Sequence, residues 1–343
     1  MRMGIEKPFY ALAGAAAALL LAGAATAADK GSENDELRIM RPAELADLPL
    51  LVAERKKLFE KHADMVGIGK IKVRWLAPGK TASADALADG SADFAALDIG
   101  AFVTAWDQKS GTPQEVRGVA AIEQMPYELV VRNPAIHTIL DFTAKDRIAV
   151  PPPGGTGPAL MLQMAAAQQW GSDHFNKFDS LIVTQPDPDA AAALAAGKGD
   201  FDAHFSRLPY SDDELGDKAV HRIMDSFDIA GPHTATVLAT TKQFHDANPR
   251  LCSAVLAALE EADKLIQDNP GQAAEIYASM RKDAGVSVED LADMIGDPDL
   301  GYATAPAGVK HLADFLQQTG RLKHQANSWK DLFFTDAQNL PGS

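Results

Sequence analysis

Apolar positions along this chain follow two periods in alternation. Leu37 to Met40 and Ile71 to Leu76 carry the short pattern of strands. Between them, Leu50, Leu51, Ala53, Leu58 and Phe59 make one apolar stripe, with Arg55, Lys56, Lys57 and Glu60 outside it, which is the helical period. Asp47 stands at the cap of that helix and Pro49 in its first turn. Pro78-Gly79 reads as a turn, Ser83 to Leu87 as a short helix, and Phe94 to Leu97 as a third strand that runs through Asp98-Ile99-Gly100 into a new helix. Val116 to Ile122 and Tyr127 to Val131 read as consecutive strands. Ile148 to Val150 is a strand ending in PPPGGTG (151–157), followed by a helix from Pro158 to Trp170; Ser180 to Thr184 and Thr234 to Thr240 are further strands. The remainder is helical, over Phe244 to Asp268, Gly271 to Arg281, Val288 to Ile295 and Pro306 to Thr319. Strands and helices in alternation predict an α/β protein.

One stretch occurs twice. Residues 86–96 read ALADGSADFAA and residues 193–203 read ALAAGKGDFDA. In each, an apolar helix face runs into a glycine, Gly90 or Gly197, that supplies the left-handed stop, and an Asp-Phe pair leads into a strand. A duplicated helix–turn–strand unit predicts two α/β lobes with a cleft between them. The order of elements makes the first lobe discontinuous (37–122 plus 236–343) and places the second (123–235) inside it.

Composition narrows the function. Arg2 and Lys7 precede an apolar run from Ala11 to Ala22, and Ala25-Thr26-Ala27 offers the small–x–small pattern that signal peptidase cuts. Residues 1–27 read as a secretory signal peptide, too short for a membrane span, with cleavage near Ala27. The net charge is −15, and the first 27 residues hold Arg2, Lys7 and Glu6, so the processed chain is one unit more acidic. That balance argues against a nucleic-acid partner, and it means that an anionic ligand would need local donors. The only cysteine, Cys252, lies in an apolar helical pattern with Leu251, Val255 and Leu256 and reads as a buried small hydrophobe.

Ligands of open α/β sheets sit beyond the carboxyl ends of the strands. That rule selects Arg41 and Glu44 after the first strand, Pro78 after the second, and Asp98, Ile99 and Gly100 after the third. In the second lobe it selects Gly154, Gly155, Thr156 and Gly157, then His204, Phe205 and Arg207. The glycines of GGTG let backbone N–H groups approach an anion at a helix start. Arg41 and Arg207 offer planar forks to a carboxylate or sulfonate. Tyr127, Phe205 and Tyr210 suit either an organic moiety or the core, and His204 and His233 have structural readings as well. Asp187 and Asp189 around Pro188 read as a turn, and DELGD (213–217) as a solvated charged turn. The chain has no HExxH, GxSxG or Walker A pattern, and its nine histidines show no ligand spacing. No catalysis, cofactor or metal is expected.

These segments resemble, in order, the solute-binding proteins of ABC importers in the nitrate/sulfonate/taurine group. LPLLVAERKKLFEKHA (48–63) is similar to that family's first helix, and ALADGSADFAALDIG (86–100) and DAAAALAAGKGDFDA (189–203) to its two Ala-Leu-x-x-Gly-x-x-Asp segments. RIAVPPPGGTG (147–157) is similar to its strand-to-Gly turn, and ANPRLCSAVLAALEEADKLIQDNPGQAAEIYA (247–278) to its late helical block. Thr156 replaces the usual serine, the triple proline 151–153 is unusual, and DFTAKDR (141–147) departs from the family's block there. The resemblance implies a type II periplasmic-binding-protein fold, with two α/β lobes joined by two crossing strands. It also implies a periplasmic monomer that captures a small organic anion, and a membrane permease with its ATPase as partners. A TRAP-type receptor shares the fold and is the alternative; a pyrimidine-precursor protein or enzyme of the same superfamily fits less well, since the enzyme's cysteine-rich motif is missing.

Overall fold

This computed structural model describes residues 33–41, 44–77, 83–151, 156–281, 286–297 and 300–343. Residues 1–27, read above as a signal peptide, Pro78, Gly154, Gly155 and the side chain of Thr156 lie outside the described residues.

β1 (Glu36–Met40) passes through a 3-10 turn into α1 (Leu48–Lys56) and α2 (Leu58–Met65), and β2 (Lys72–Leu76), α3 (Ser83–Ala88), β3 (Phe94–Asp98), α4 (Ile99–Lys109) and β4 (Val116–Glu123) follow. Then come β5 (Glu128–Val131), β6 (Ile148–Val150), α5 (Thr156–Trp170), β7 (Ile182–Thr184), α6 (Asp187–Ala195), β8 (Ala203–Ser206), α7 (Tyr210–Leu215), β9 (His221–Asp225) and α8 (Ser226–Ala230). The chain ends with β10 (Thr236–Thr241), α9 (Lys242–Ala247), α10 (Pro249–Asp268), α11 (Pro270–Met280), α12 (Val288–Ile295) and α13 (Val309–Gln318).

The strands form two five-stranded sheets, ordered β2-β1-β3-β10-β4 and β7-β6-β8-β5-β9. In each, one strand runs against its neighbours: β10 against β3 and β4, and β5 against β8 and β9. That strand is the one that arrives from the other sheet, so the chain crosses twice, after β4 and before β10. One core lies between the first sheet and α1, α2, α10 and α11, around Leu37, Phe59, Leu251 and Tyr277. A second is continuous across both sheets, because Phe102 and Val103 of α4 share it with Leu160 and Met164 of α5.

Where the pattern and the structure differ, the causes are local or tertiary. The single stripe over residues 50–60 is two helices, broken at Lys57, which takes a left-handed φ of 56°; Leu58 and Phe59 still reach the core. The helix expected over 244–268 divides at Asn248-Pro249, because proline cannot continue the ladder of i→i−4 bonds. Pro188 lies in the first turn of α6, second after Asp187, in place of the expected turn; there its missing N–H costs the helix no bond. The apolar pattern does not predict β9; it is an edge strand with only Met224 buried, so it carries no apolar alternation. Gly90 and Gly197 do take positive φ, 75° and 61°, at the ends of their helices, although the second strand begins at Ala203 and not at Phe201.

Cys252 lies wholly buried on α10, and burial holds its thiol well above the ordinary value. The thiolate is the reactive form. Cys252 should therefore resist thiol reagents in the native protein and react stoichiometrically in denaturant; ready labelling of native protein would show that α10 is not packed this way.

Candidate functional site

The carboxyl edge of the first sheet carries Arg41, immediately after β1, then Asp98 and Glu123, the last residues of β3 and β4. Thr236, first in the antiparallel β10, pairs in register with both Asp98 and Glu123. The matching edge of the second sheet carries Ser206 and Arg207 at the end of β8, and Tyr127 just ahead of β5. Among the described residues, side chains from the two edges meet at two places.

The first meeting is Tyr127 with Asp98. The phenol donates to Asp98 Oδ2 at 2.9 Å, while Asp98 Oδ1 accepts the Gly100 N–H at 2.9 Å and so caps α4. Burial first, and then the Asp98 charge, keep the Tyr127 hydroxyl well above its usual pKa, so it remains a donor. Gly157, in the first turn of α5, lies against the same pair: a Cβ there would stand 2.3 Å from Asp98 Oδ2 and 2.6 Å from the Tyr127 hydroxyl. The Asp98 carboxylate thus sits against the first turns of α4 and α5, where the helix dipoles favour negative charge. Ile99 and Gly100 are buried in α4 and serve its packing.

The second meeting is Arg207 with Glu44. Nη2 of Arg207 pairs with Glu44 Oε2, and its Nε lies 3.4 Å from Asp187 Oδ2. The other oxygen of Asp187 faces His204 Nε2 at 3.3 Å, and His204 Nδ1 meets Glu214 Oε1 at 2.8 Å. A row of alternating charge therefore runs from Glu44, beside the first sheet, to Glu214 on α7. Burial lowers the His204 pKa, but hydrogen bonds to Asp187 and Glu214 outweigh it and raise the pKa to about 9. Burial pulls Arg207 down to about 10, still charged at neutral pH.

Arg41 is buried as well. Its Nη2 pairs with Glu54 Oε2, and its guanidinium stacks 4.6 Å from the Trp75 ring centroid. Its Nε, also buried, has no hydrogen-bond partner among the described residues. Phe205 belongs to the core, edge-on to Tyr127 at 6.1 Å.

The structure therefore brings Asp98, Tyr127 and Gly157 together at one place and Glu44 and Arg207 at another, and links His204 to Arg207 through Asp187. The segment read as a solvated charged turn is a helix whose Glu214 is fully buried, because His204 needs it as a partner. Asp187, Glu214 and Glu123 escaped the sequence reading. Glu123 follows the apolar run of β4 with no exposure; burial pushes its carboxyl up to about 8, with Asp47 and Asp98 adding to the effect. Its one visible mark in the sequence is a charge directly after the uncharged run 118–122 of β4.

Two surface cavities lie away from these edges. Arg38, Gly90 and Asp93 line one, and Arg132, Gly197 and Phe201 the other, so each is lined by one copy of the repeated segment. The repeat lies at the amino ends of the strands and builds the scaffold, not the meeting edges. Among the described residues, no group of three His, Cys, Asp or Glu side chains is placed to hold a metal, and no helix is long and apolar enough to cross a membrane.

Two five-stranded α/β lobes joined by two crossings, with their carboxyl edges facing, define the type II periplasmic-binding-protein fold. The chain belongs to the NMT1-like family, which it matches over residues 30–280. It is similar in structure to the alkanesulfonate-binding protein SsuA from Xanthomonas axonopodis pv. citri, solved with bound MOPS, at a TM-score of 0.63 and 17% identity, over 86% of this chain and 96% of that one. The aliphatic sulphonate-binding protein SsuA from Escherichia coli gives a TM-score of 0.63 and 19% identity, over 88% and 93%. The nitrate-binding protein NrtA from Synechocystis PCC 6803 gives 0.66 and 16%, over 88% and 85%. These neighbours agree with the resemblance read from the sequence. No curated protein sequence matches the chain.

Proposed function

We propose that this protein is the exported, periplasmic solute-binding subunit of an ABC importer, that it performs no catalysis, and that its solute is a small organic anion, a sulfonate or a carboxylate. The observation that carries this reading is Arg207: a guanidinium 17% exposed at the carboxyl edge of one sheet, paired with a carboxylate that reaches across from the other. A group held this way takes an acid from the cleft and draws the lobes together as it does so. The sulfonate and nitrate ligands named for the structural neighbours support an anion in this position. The lobes, 37–122 plus 236–343 and 123–235, would turn about the crossings near 122–128 and 230–236, and the closed form would dock on the permease and its ATPase.

A thermal-shift screen of the purified protein against sulfonates, carboxylates, pyrimidines and inorganic anions tests the proposal. A true ligand at 100 times its dissociation constant should stabilise by about 2.7 kcal/mol, a shift of roughly a few degrees. Stabilisation by pyrimidines alone, or by nothing in the panel, would overturn the anion assignment.

A further inference from the structure

The pairing that supports an anionic solute also stands in its way. Arg207 already has two carboxylates, Glu44 on Nη2 and Asp187 near Nε. A third anion brought to this largely enclosed guanidinium, 17% exposed, would leave three negative charges around one positive charge where water screens them incompletely. One of the two carboxylates must leave when the solute arrives, and the structure decides which.

Asp187 is fixed. Its side chain is 5% exposed, its second oxygen faces His204, and His204 is held in turn by Glu214 inside the second lobe. Withdrawing Asp187 would break that row and take from the buried His204 Nε2 its partner, leaving the ring held through Nδ1 by Glu214 alone. Glu44 is held by far less. It belongs to the segment between β1 and α1, and its side chain is 30% exposed. Its backbone N–H is tied to Asp47 Oδ2 at 2.9 Å, a bond that survives rotation of the side chain. Moving the Glu44 carboxylate into water costs its pairing with Arg207 and its capping contact with the Asp47 backbone N–H, both at the surface of the segment, and regains hydration.

We infer that Glu44 is a specificity-determining residue: its carboxylate occupies on Arg207 the place of the solute's acidic group, and a solute binds by displacing it. This inference rests on the anionic-solute reading above. It makes Glu44 an internal competitor that is tethered, and so always present at high effective concentration. A weak or misplaced anion fails to displace it; an acid that engages the open part of the Arg207 fork while its remainder packs in the cleft succeeds. The same pair bridges the two sheets in the absence of solute, so the bridge passes from Glu44 to the solute on binding.

The test measures the dissociation constants of ethanesulfonate and propionate, together with the best anion of the thermal-shift panel, for wild type, Glu44→Gln and Asp64→Asn by calorimetry. Asp64 is exposed on α2, and its change removes the same unit of charge away from the site. With the competitor neutralised, Glu44→Gln should bind the anions about tenfold or more tightly, the scale of one charge-assisted hydrogen bond. Asp64→Asn should stay within about twofold of wild type, as a distant and screened surface charge does. Thermal unfolding of each variant confirms that it is folded. Equal or weaker binding by a folded Glu44→Gln overturns the inference alone, and weaker binding would make Glu44 a group that grips the solute. Failure of wild type and Glu44→Gln alike to bind any of the anions overturns the anionic-solute reading and the inference with it.

Discussion

Replacing Gly157 by alanine should destabilise the protein, although alanine is the better helix former. On propensity alone the change gains up to about 1 kcal/mol within a helix. Against this, the new methyl carbon would stand 2.3 Å from Asp98 Oδ2 and 2.6 Å from the Tyr127 hydroxyl. Neither neighbour can yield cheaply. Asp98 caps α4 through Gly100 and accepts the hydrogen bond donated by the Tyr127 hydroxyl, and Tyr127 is buried against Phe205. Overpacking of this kind costs about 1–3 kcal/mol, and loss of the charge-assisted bond between Tyr127 and Asp98 adds about 1.5–3 kcal/mol. The steric and hydrogen-bonding losses exceed the gain. Urea unfolding should give a lower midpoint at unchanged slope, and small-angle scattering should show a larger radius of gyration as α5 is wedged from Asp98. A midpoint equal to or above that of wild type would mean that the two edges do not meet as described.

His204→Ala should have the largest effect of any single change at this site. It removes the cation between Asp187 and Glu214 and leaves two buried carboxylates facing a void, for which breaking a buried pair suggests a loss of about 3–5 kcal/mol. A typical domain has only about 5–15 kcal/mol in total. The same residue sets a pH dependence. Its pKa rises from 6.5 to about 9 on folding: burial opposes the charge, but hydrogen bonds to Asp187 and Glu214 outweigh it. The folded state therefore holds the proton more tightly. The resulting stability is fully present below pH 6.5 and is lost as pH rises through about 9. Glu123 and Asp263, both pushed up by burial to about 8 from 4.5 and 3.8, also lose stability as pH rises, in the range between those values. The histidine's share is thus the difference between wild type and His204→Ala, measured by urea unfolding at pH 6, 7.5 and 9. That difference should shrink toward alkaline pH; a difference constant with pH would mean that His204 is neutral in the folded protein.

The scaffold and the site were unequally legible in the sequence. Strand and helix positions follow from apolar period and from glycine and proline, which act within a turn or two of themselves; hence Gly90, Gly197 and the crossing strands β4 and β5 were readable one segment at a time. The rule that ligands lie beyond strand ends then placed Glu44, Asp98, Gly157 and Arg207 on facing edges without any contact being known. Partners were another matter. Asp187 lies 20 residues before Arg207, and Glu44 lies 163 before it, so no local pattern ties them to the arginine. Glu214, in a run of charges, looked solvated because burial belongs to the packed molecule and not to the residue: α7 turns it inward to His204. The sequence by itself determined which segments reach the edges of the two sheets. Only the tertiary structure decided that the two arginines offered to an anion already hold carboxylates, because pairing depends on which side chains approach within a few ångströms once both sheets are assembled.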